Sequence, residues 1–141
     1  MREILDIPVG ELMSAPVVTV APEASIEELT RLMAEYDYNA FPVVNEAGAL
    51  LGLVTRLDLF KLYLLPYRPY IPVLEDTWVS SVGAIMTRGV VALYPVEPAI
   101  KAMAMMVDYR IRTIPIVTDT TAGVTLVGVV TRRDLAAALE P

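Results

Sequence analysis

The sequence predicts a mixed α/β (α+β) fold in which one β-α-β-β-α unit is used twice. Three observations carry that expectation. The segment GLVTRLDL at Gly52–Leu59 returns as GVVTRRDL at Gly128–Leu135, with six of eight positions identical. From Val9 to Val44, adding 73 lands on the matching residue with no gap, and ten of those 36 pairs are identical; past Val117 the offset grows to 76. Each copy also runs through short apolar segments and one amphipathic stripe in the same order. Self-similarity at a fixed spacing over most of a chain marks a duplicated structural unit. A single unit of under 60 residues buries too little apolar surface to fold alone, so the two copies are expected to pack together.

Residues 1–8 read as a tail, 9–63 as the first repeat, 64–81 as a linker and 82–139 as the second repeat. Each repeat opens with a short apolar turn, Val9–Met13 or Val82–Met86. A strand follows, Val17–Val20 or Val90–Leu93, closed by Pro22 or Pro95. The helix of repeat one starts at a capping box formed by Ser25 and Glu28, and Ile26, Leu29, Leu32, Met33 and Tyr36 make its apolar stripe. In repeat two Pro98 stands in the first helical turn, and Ala99, Ala102, Met103, Met106 and Tyr109 make the stripe. Methionines at that spacing are core filler. Two strands follow, Phe41–Val44 with Leu50–Val54 and Ile114–Val117 with Thr125–Val130, around turns containing Gly48 and Gly123. A last helix begins at Thr55 or Thr131. The linker, with Pro66, Pro69 and Pro72 among Tyr63, Tyr67, Tyr70 and Trp78, reads as a stiff strap between the halves.

Composition excludes several classes of function. The chain of 141 residues has no Cys and no His, which removes structural zinc, thiol nucleophiles and imidazole bases; no metal and no cofactor is expected. A net charge of −6 argues against nucleic acid as the partner. The longest run free of charge, Thr120–Thr131, is twelve residues, too short for a membrane-spanning helix. MREILDIP has no secretory character, so a cytoplasmic location is expected. Hydrophobic content of 55% suggests a filled core plus an apolar surface for a second copy of the chain. Gln is absent and there are eleven Pro, a balance that fits a hot source. Repeat one holds three basic and eight acidic residues and repeat two six and four, so an anion is expected on the second half.

The chemistry is expected at the two last-helix starts, Thr55-Arg56-Leu57-Asp58 and Thr131-Arg132-Arg133-Asp134. Thr-x-x-Asp is close to a capping box, and taken once it would be only that. Here it occurs twice in equivalent positions, with Arg directly after Thr at a helix N-terminus that already favours phosphate. A short Asp side chain can accept both hydroxyls of a ribose. Thr and Arg for phosphate with Asp for the diol would make a nucleoside-phosphate site. An adenine slot is expected at Ala40-Phe41-Pro42 and Thr113-Ile114-Pro115, where the prolines keep the chain extended and leave backbone groups for a base edge. Phe41 and Ile114 could equally be core. Arg112 is the candidate for a second phosphate contact.

These residues resemble a tandem pair of CBS domains, the two-repeat module often called a Bateman module. The matching features are Met13-Ser14 and Met86-Thr87, the strands Phe41–Val44 and Ile114–Val117, and Gly-x-Val-Thr-x-x-Asp in both copies, over about residues 9–139. The resemblance implies a pseudo-twofold arrangement of the repeats with a cleft on either side, and an adenosyl ligand in one or both clefts. It implies Asp58 and Asp134 on ribose, Thr55 and Thr131 near phosphate, and Ala40, Thr113 and the residues near Val17 and Val90 around the base. It also implies a homodimer through helical faces and regulation of some other protein rather than catalysis. The expected function is therefore an adenine-nucleotide (AMP or ATP) sensor. The alternatives are an S-adenosylmethionine sensor and a ligand-free oligomerisation module in which Thr-x-x-Asp only caps helices.

Overall fold

The described residues of the computed structural model, 3–64 and 81–140, fall into two units whose boundaries cut across the sequence repeats. One unit spans Val18–Val90; the other joins the chain up to Val17 with the chain from Val91 onward. The opening turn of each repeat therefore packs with the body of the other repeat. The strap reading of the linker, with Pro66, Pro69, Pro72, Tyr67, Tyr70 and Trp78, lies outside the described residues.

In the Val18–Val90 unit, helix α1 (Ile26–Glu35) starts at Ser25, whose Oγ accepts the Glu28 N–H at 3.0 Å. The cap is one-sided: Glu28 gives its N–H but not its carboxylate, so the expected capping box is half built. Leu29 and Met33 face the core, and Ile26, Leu32 and Tyr36 pack at its margin, as the 3.6-residue spacing requires. Strands β1 (Ala40–Val44) and β2 (Leu50–Thr55) form an antiparallel hairpin with Phe41 opposite Val54 and Val43 opposite Gly52. Asn45 Oδ1 accepts the N–H groups of Ala47 and Ala49, each at 3.0 Å, and Gly48 takes φ 87°, which closes the turn. Helix α2 (Arg56–Leu64) follows β2 directly, and the short α3 (Val82–Ile85) completes the unit. Phe41, Leu29, Val43, Val54 and Val82 are wholly buried together. Each contributes on the order of 1.5–3 kcal/mol of transfer free energy.

The other unit begins with single 3₁₀ turns at Ile4–Asp6 and Val9–Glu11. Helix α4 (Ala99–Tyr109) has Pro98 as its N-cap residue, one position before the expected first turn, and ends at Arg110 in the left-handed region (φ 56°, ψ 42°). Strands β3 (Thr113–Thr120) and β4 (Gly123–Thr131) form a longer hairpin than the sequence suggested. Pairing runs on through Thr118 and Thr125 to a tight turn, and the Thr120 and Thr125 hydroxyls meet at 2.7 Å. Helix α5 (Arg132–Leu139) follows. Val9, Leu93, Ala99, Ala102, Ile114, Ile116 and Val130 make the core. Tyr109, expected on the buried stripe, is 60% exposed, because the helix stops there in its left-handed cap.

The first strand of each repeat is the main departure. Val17–Val20 and Val90–Leu93 are not strands; each supplies a single parallel bridge, Val20 with Val43 and Leu93 with Ile116. The chain passes from one unit to the other inside each segment, between Val17 and Val18 and between Val90 and Val91. Only the second half of each segment can therefore pair, and Pro22 and Pro95 stop it within two residues.

Candidate functional site

Each candidate site grows from a glycine. At Gly52 a Cβ would lie 2.5 Å from the Thr87 carbonyl oxygen, and at Gly128 one would lie 2.6 Å from Met13 Sδ and 3.0 Å from the Ser14 carbonyl oxygen. Missing side chains let a further segment close on the hairpin edge. Leu53 and Thr87 exchange backbone hydrogen bonds of 3.0 and 2.7 Å, and Ser14 and Val129 exchange bonds of 2.8 and 3.1 Å. That docking brings one hydroxyl, Thr87 or Ser14, to the start of the following helix.

The acid at each helix start meets that hydroxyl. Asp58 is 1% exposed. Its carboxylate accepts the Thr55 N–H (2.9 Å), the Thr55 hydroxyl (3.2 Å), the Thr87 hydroxyl (3.0 and 3.2 Å, shared between its two oxygens) and the Lys61 ammonium (2.7 Å). Asp134 is less buried and accepts two donors: the Thr131 N–H on Oδ2 at 2.9 Å and the Ser14 hydroxyl on Oδ1 at 3.0 Å. Thr131 Oγ1 in turn accepts the Asp134 N–H at 3.1 Å, which completes a capping box. Both acids thus cap their helices, as the plain reading of Thr-x-x-Asp expected. A carboxylate offers about four acceptor positions. Asp58 has four donors; Asp134 keeps one open position on each oxygen.

The arginines differ in the same way. Arg56 Nη2 lies 4.0 Å from Asp37 Oδ1, an exposed pair of little energetic weight. Arg132 donates its Nε–H to the Ile111 carbonyl (3.3 Å) and its backbone N–H to the Arg112 carbonyl (3.1 Å), which ties the start of α5 to the start of β3. Arg112 and Arg133 are exposed.

The expected adenine slot needs correction. Phe41 and Ile114 have no exposed surface and belong to the two cores. Neither proline leaves its carbonyl for a base edge: that of Pro42 accepts the Val20 N–H and that of Pro115 accepts the Leu93 N–H, each at 3.0 Å. These are the two parallel bridges, so each proline carbonyl already holds a backbone N–H. Ala40 is half-buried, and Thr113 is 9% exposed. Val17 falls in the unit of Asp134, and Val90 in that of Asp58. The charge contrast between the repeats also disappears once the opening turns change places and Glu3, Asp6 and Glu140, outside the repeats, are counted. The described residues of the Asp134 unit hold five basic and eight acidic side chains, and those of the Asp58 unit four and seven, a net −3 in each.

Ser14 and Thr87 entered the sequence reading only as part of the family resemblance, and none of Ser14, Thr87 and Lys61 was among the expected site residues. The signal for the first two was present: positions 14 and 87 are 73 apart, and both carry a hydroxyl.

The family model for the CBS domain matches residues 9–65 and again 82–141. The chain belongs to the CBS domain family. Its CBS repeats are 31% identical over 127 residues to homoserine O-acetyltransferase of Methanococcoides burtonii, a match that covers 90% of this chain and 23% of that protein. The chain spans less than a quarter of the length of the first curated relatives it matches. Among solved structures, the AMP complex of CBSX2 superimposes with a TM-score of 0.78 at 23% identity, covering 93% of this chain and 94% of that one, a likeness of fold. A CBS domain pair in complex with 5′-methylthioadenosine and S-adenosyl-L-methionine superimposes with a TM-score of 0.75 at 27% identity, covering 92% and 93%. No helix among the described residues is long and apolar enough to cross a membrane.

Proposed function

We propose that this CBS pair is a regulatory module that binds an adenosine compound, with the ribose hydroxyls on Asp134. The observation that carries the reading is the one open acceptor position on each oxygen of Asp134, beside a Ser14 hydroxyl that fixes the carboxylate's orientation. A vicinal diol needs two such positions side by side. Thr131 and the N-terminus of α5, with Arg132 and Arg133 next in sequence and Arg112 joined to Arg132 through the backbone, would take a phosphate. Val17 and the Thr113 edge of β3 would lie toward the base. The family match and the adenosyl compounds held by the 27%-identical pair support the ligand class.

Arginine favours a nucleotide over the cationic sulfonium of S-adenosylmethionine. The compounds named for the 27%-identical pair favour the second reading, an S-adenosylmethionine sensor. The role is regulatory, not catalytic: a ligand shifts conformation by no more than its differential affinity for the two states. Calorimetry and thermal shift with AMP, ATP and S-adenosylmethionine test this. At least one compound should bind and raise the melting temperature. Asp134→Ala should cost tenfold or more in affinity, while the lost cap costs about 1 kcal/mol in stability. No binding by any of the three would end the reading.

A further inference from the structure

The two helix starts are nearly equivalent in sequence, and one side chain makes them different in chemistry. At the offset of 76 that aligns Thr55 with Thr131 and Asp58 with Asp134, Lys61 aligns with Ala137. Both positions are three residues past the acid, on the same face of the helix. Lys61 Nζ reaches back to Asp58 Oδ1 at 2.7 Å, while most of the lysine side chain, 62%, stays exposed. Ala137 has nothing to send.

We propose that the chain takes one adenosine ligand, at Asp134, and that Lys61 closes the equivalent position at Asp58. The inference rests on the adenosine reading above and settles how many sites each chain offers.

Three observations converge. Donor count comes first: a ribose needs two free acceptor positions on one carboxylate, and four donors already sit on Asp58. Exposure is the second: the Asp58 side chain is 2% exposed. The third is charge. The unit as a whole cannot distinguish the sites, because both units carry the same net charge among their described residues. The Thr87 and Ser14 hydroxyls are matched contacts, and each leaves acceptor capacity on its acid. Two donors on Asp58 have no counterpart on Asp134. The Thr55 hydroxyl, 3.2 Å from Oδ2, gives up its position by rotating, whereas a neutral diol displaces the Lys61 ammonium only by stripping a cation from a carboxylate. Lys61 is therefore a residue that sets site number, acting through Asp58 rather than by touching ligand.

The test is calorimetric stoichiometry on the full chain, titrated with AMP and, separately, with S-adenosylmethionine. Wild type should bind one molecule per chain. Lys61→Ala should admit a second. Ala137→Lys should reproduce the Lys61 contact on Asp134 and weaken binding at least about tenfold. Positions 61 and 137 are both exposed, so both variants are expected to fold, and their far-UV circular dichroism checks it. Two molecules per wild-type chain would overturn the inference and leave the adenosine reading standing. So would Ala137→Lys binding as wild type does, or a folded Lys61→Ala that still takes only one molecule. Absence of binding in every variant would bring down the adenosine reading and this inference with it.

Discussion

Gly52 and Gly128 hold the same place in the repeated motif, yet they tolerate a methyl group differently. A Cβ at Gly52 meets the Thr87 carbonyl oxygen at 2.5 Å, a backbone atom of a residue that exchanges two hydrogen bonds with Leu53. At Gly128 the tightest neighbour is Met13 Sδ, the far part of a flexible side chain that can swing away. Gly52→Ala is therefore expected to cost about 2–3 kcal/mol and Gly128→Ala about 1 kcal/mol, measured by urea unfolding. Equal losses would mean that the Thr87 segment is not clamped to β2. At this scale the sequence was half legible. Thr-x-x-Asp is a local pattern, so its cap could be read directly. The Ser14–Asp134 contact joins residues 120 positions apart, and no local period points to it. Phe41 and Ile114 were ambiguous because an apolar residue on a strand looks the same whether it lines a pocket or fills a core.

Among the elements, helices and hairpins followed their patterns because short-range rules decide them: Ser25 at an N-cap, Leu29 and Met33 one turn apart, and a turn residue at Gly48. The first strands failed because pairing depends on which sheet the chain is beside, and the crossover between units falls inside them. Helix α4 offers a test at its start. Glu97 accepts the Tyr94 N–H at 2.8 Å and forms a short contact with Lys101 one turn later. The Lys101 hydrogen bond, then the Tyr94 amide, hold its carboxyl below the ordinary glutamate value of 4.5. A depressed carboxyl binds its proton less readily folded than unfolded, so its contribution is present above about pH 4.5 and is lost as pH falls through the folded value. Melting temperatures from pH 7 to 3 should show wild type above Glu97→Gln near neutrality, with the gap closing below pH 4.5. A gap independent of pH would refute this role.

At the scale of the whole molecule, duplication is the fact on which everything else depends. Each unit borrows the opening turn of the other repeat, so neither repeat is a self-contained packing unit in this structure. Apolar surface is left over. Leu57, Phe60 and Leu64 on α2 follow helical spacing and are 71%, 53% and 36% exposed, with Tyr63 beside them at 66%. We propose that this stripe meets a second copy of the chain, as the excess hydrophobic content suggested. Phe60→Glu should then give a monomer in analytical ultracentrifugation where wild type sediments as a dimer. A wild-type monomer would remove the dimer from the account. The most direct measurement of all is a crystal structure of the chain grown with AMP or S-adenosylmethionine. The ribose hydroxyls should lie about 2.6–3.0 Å from Asp134 Oδ1 and Oδ2, with Ser14 and Thr131 still in place. Ligand bound elsewhere, with Asp134 holding only Ser14 and its own helix cap, would contradict the central claim.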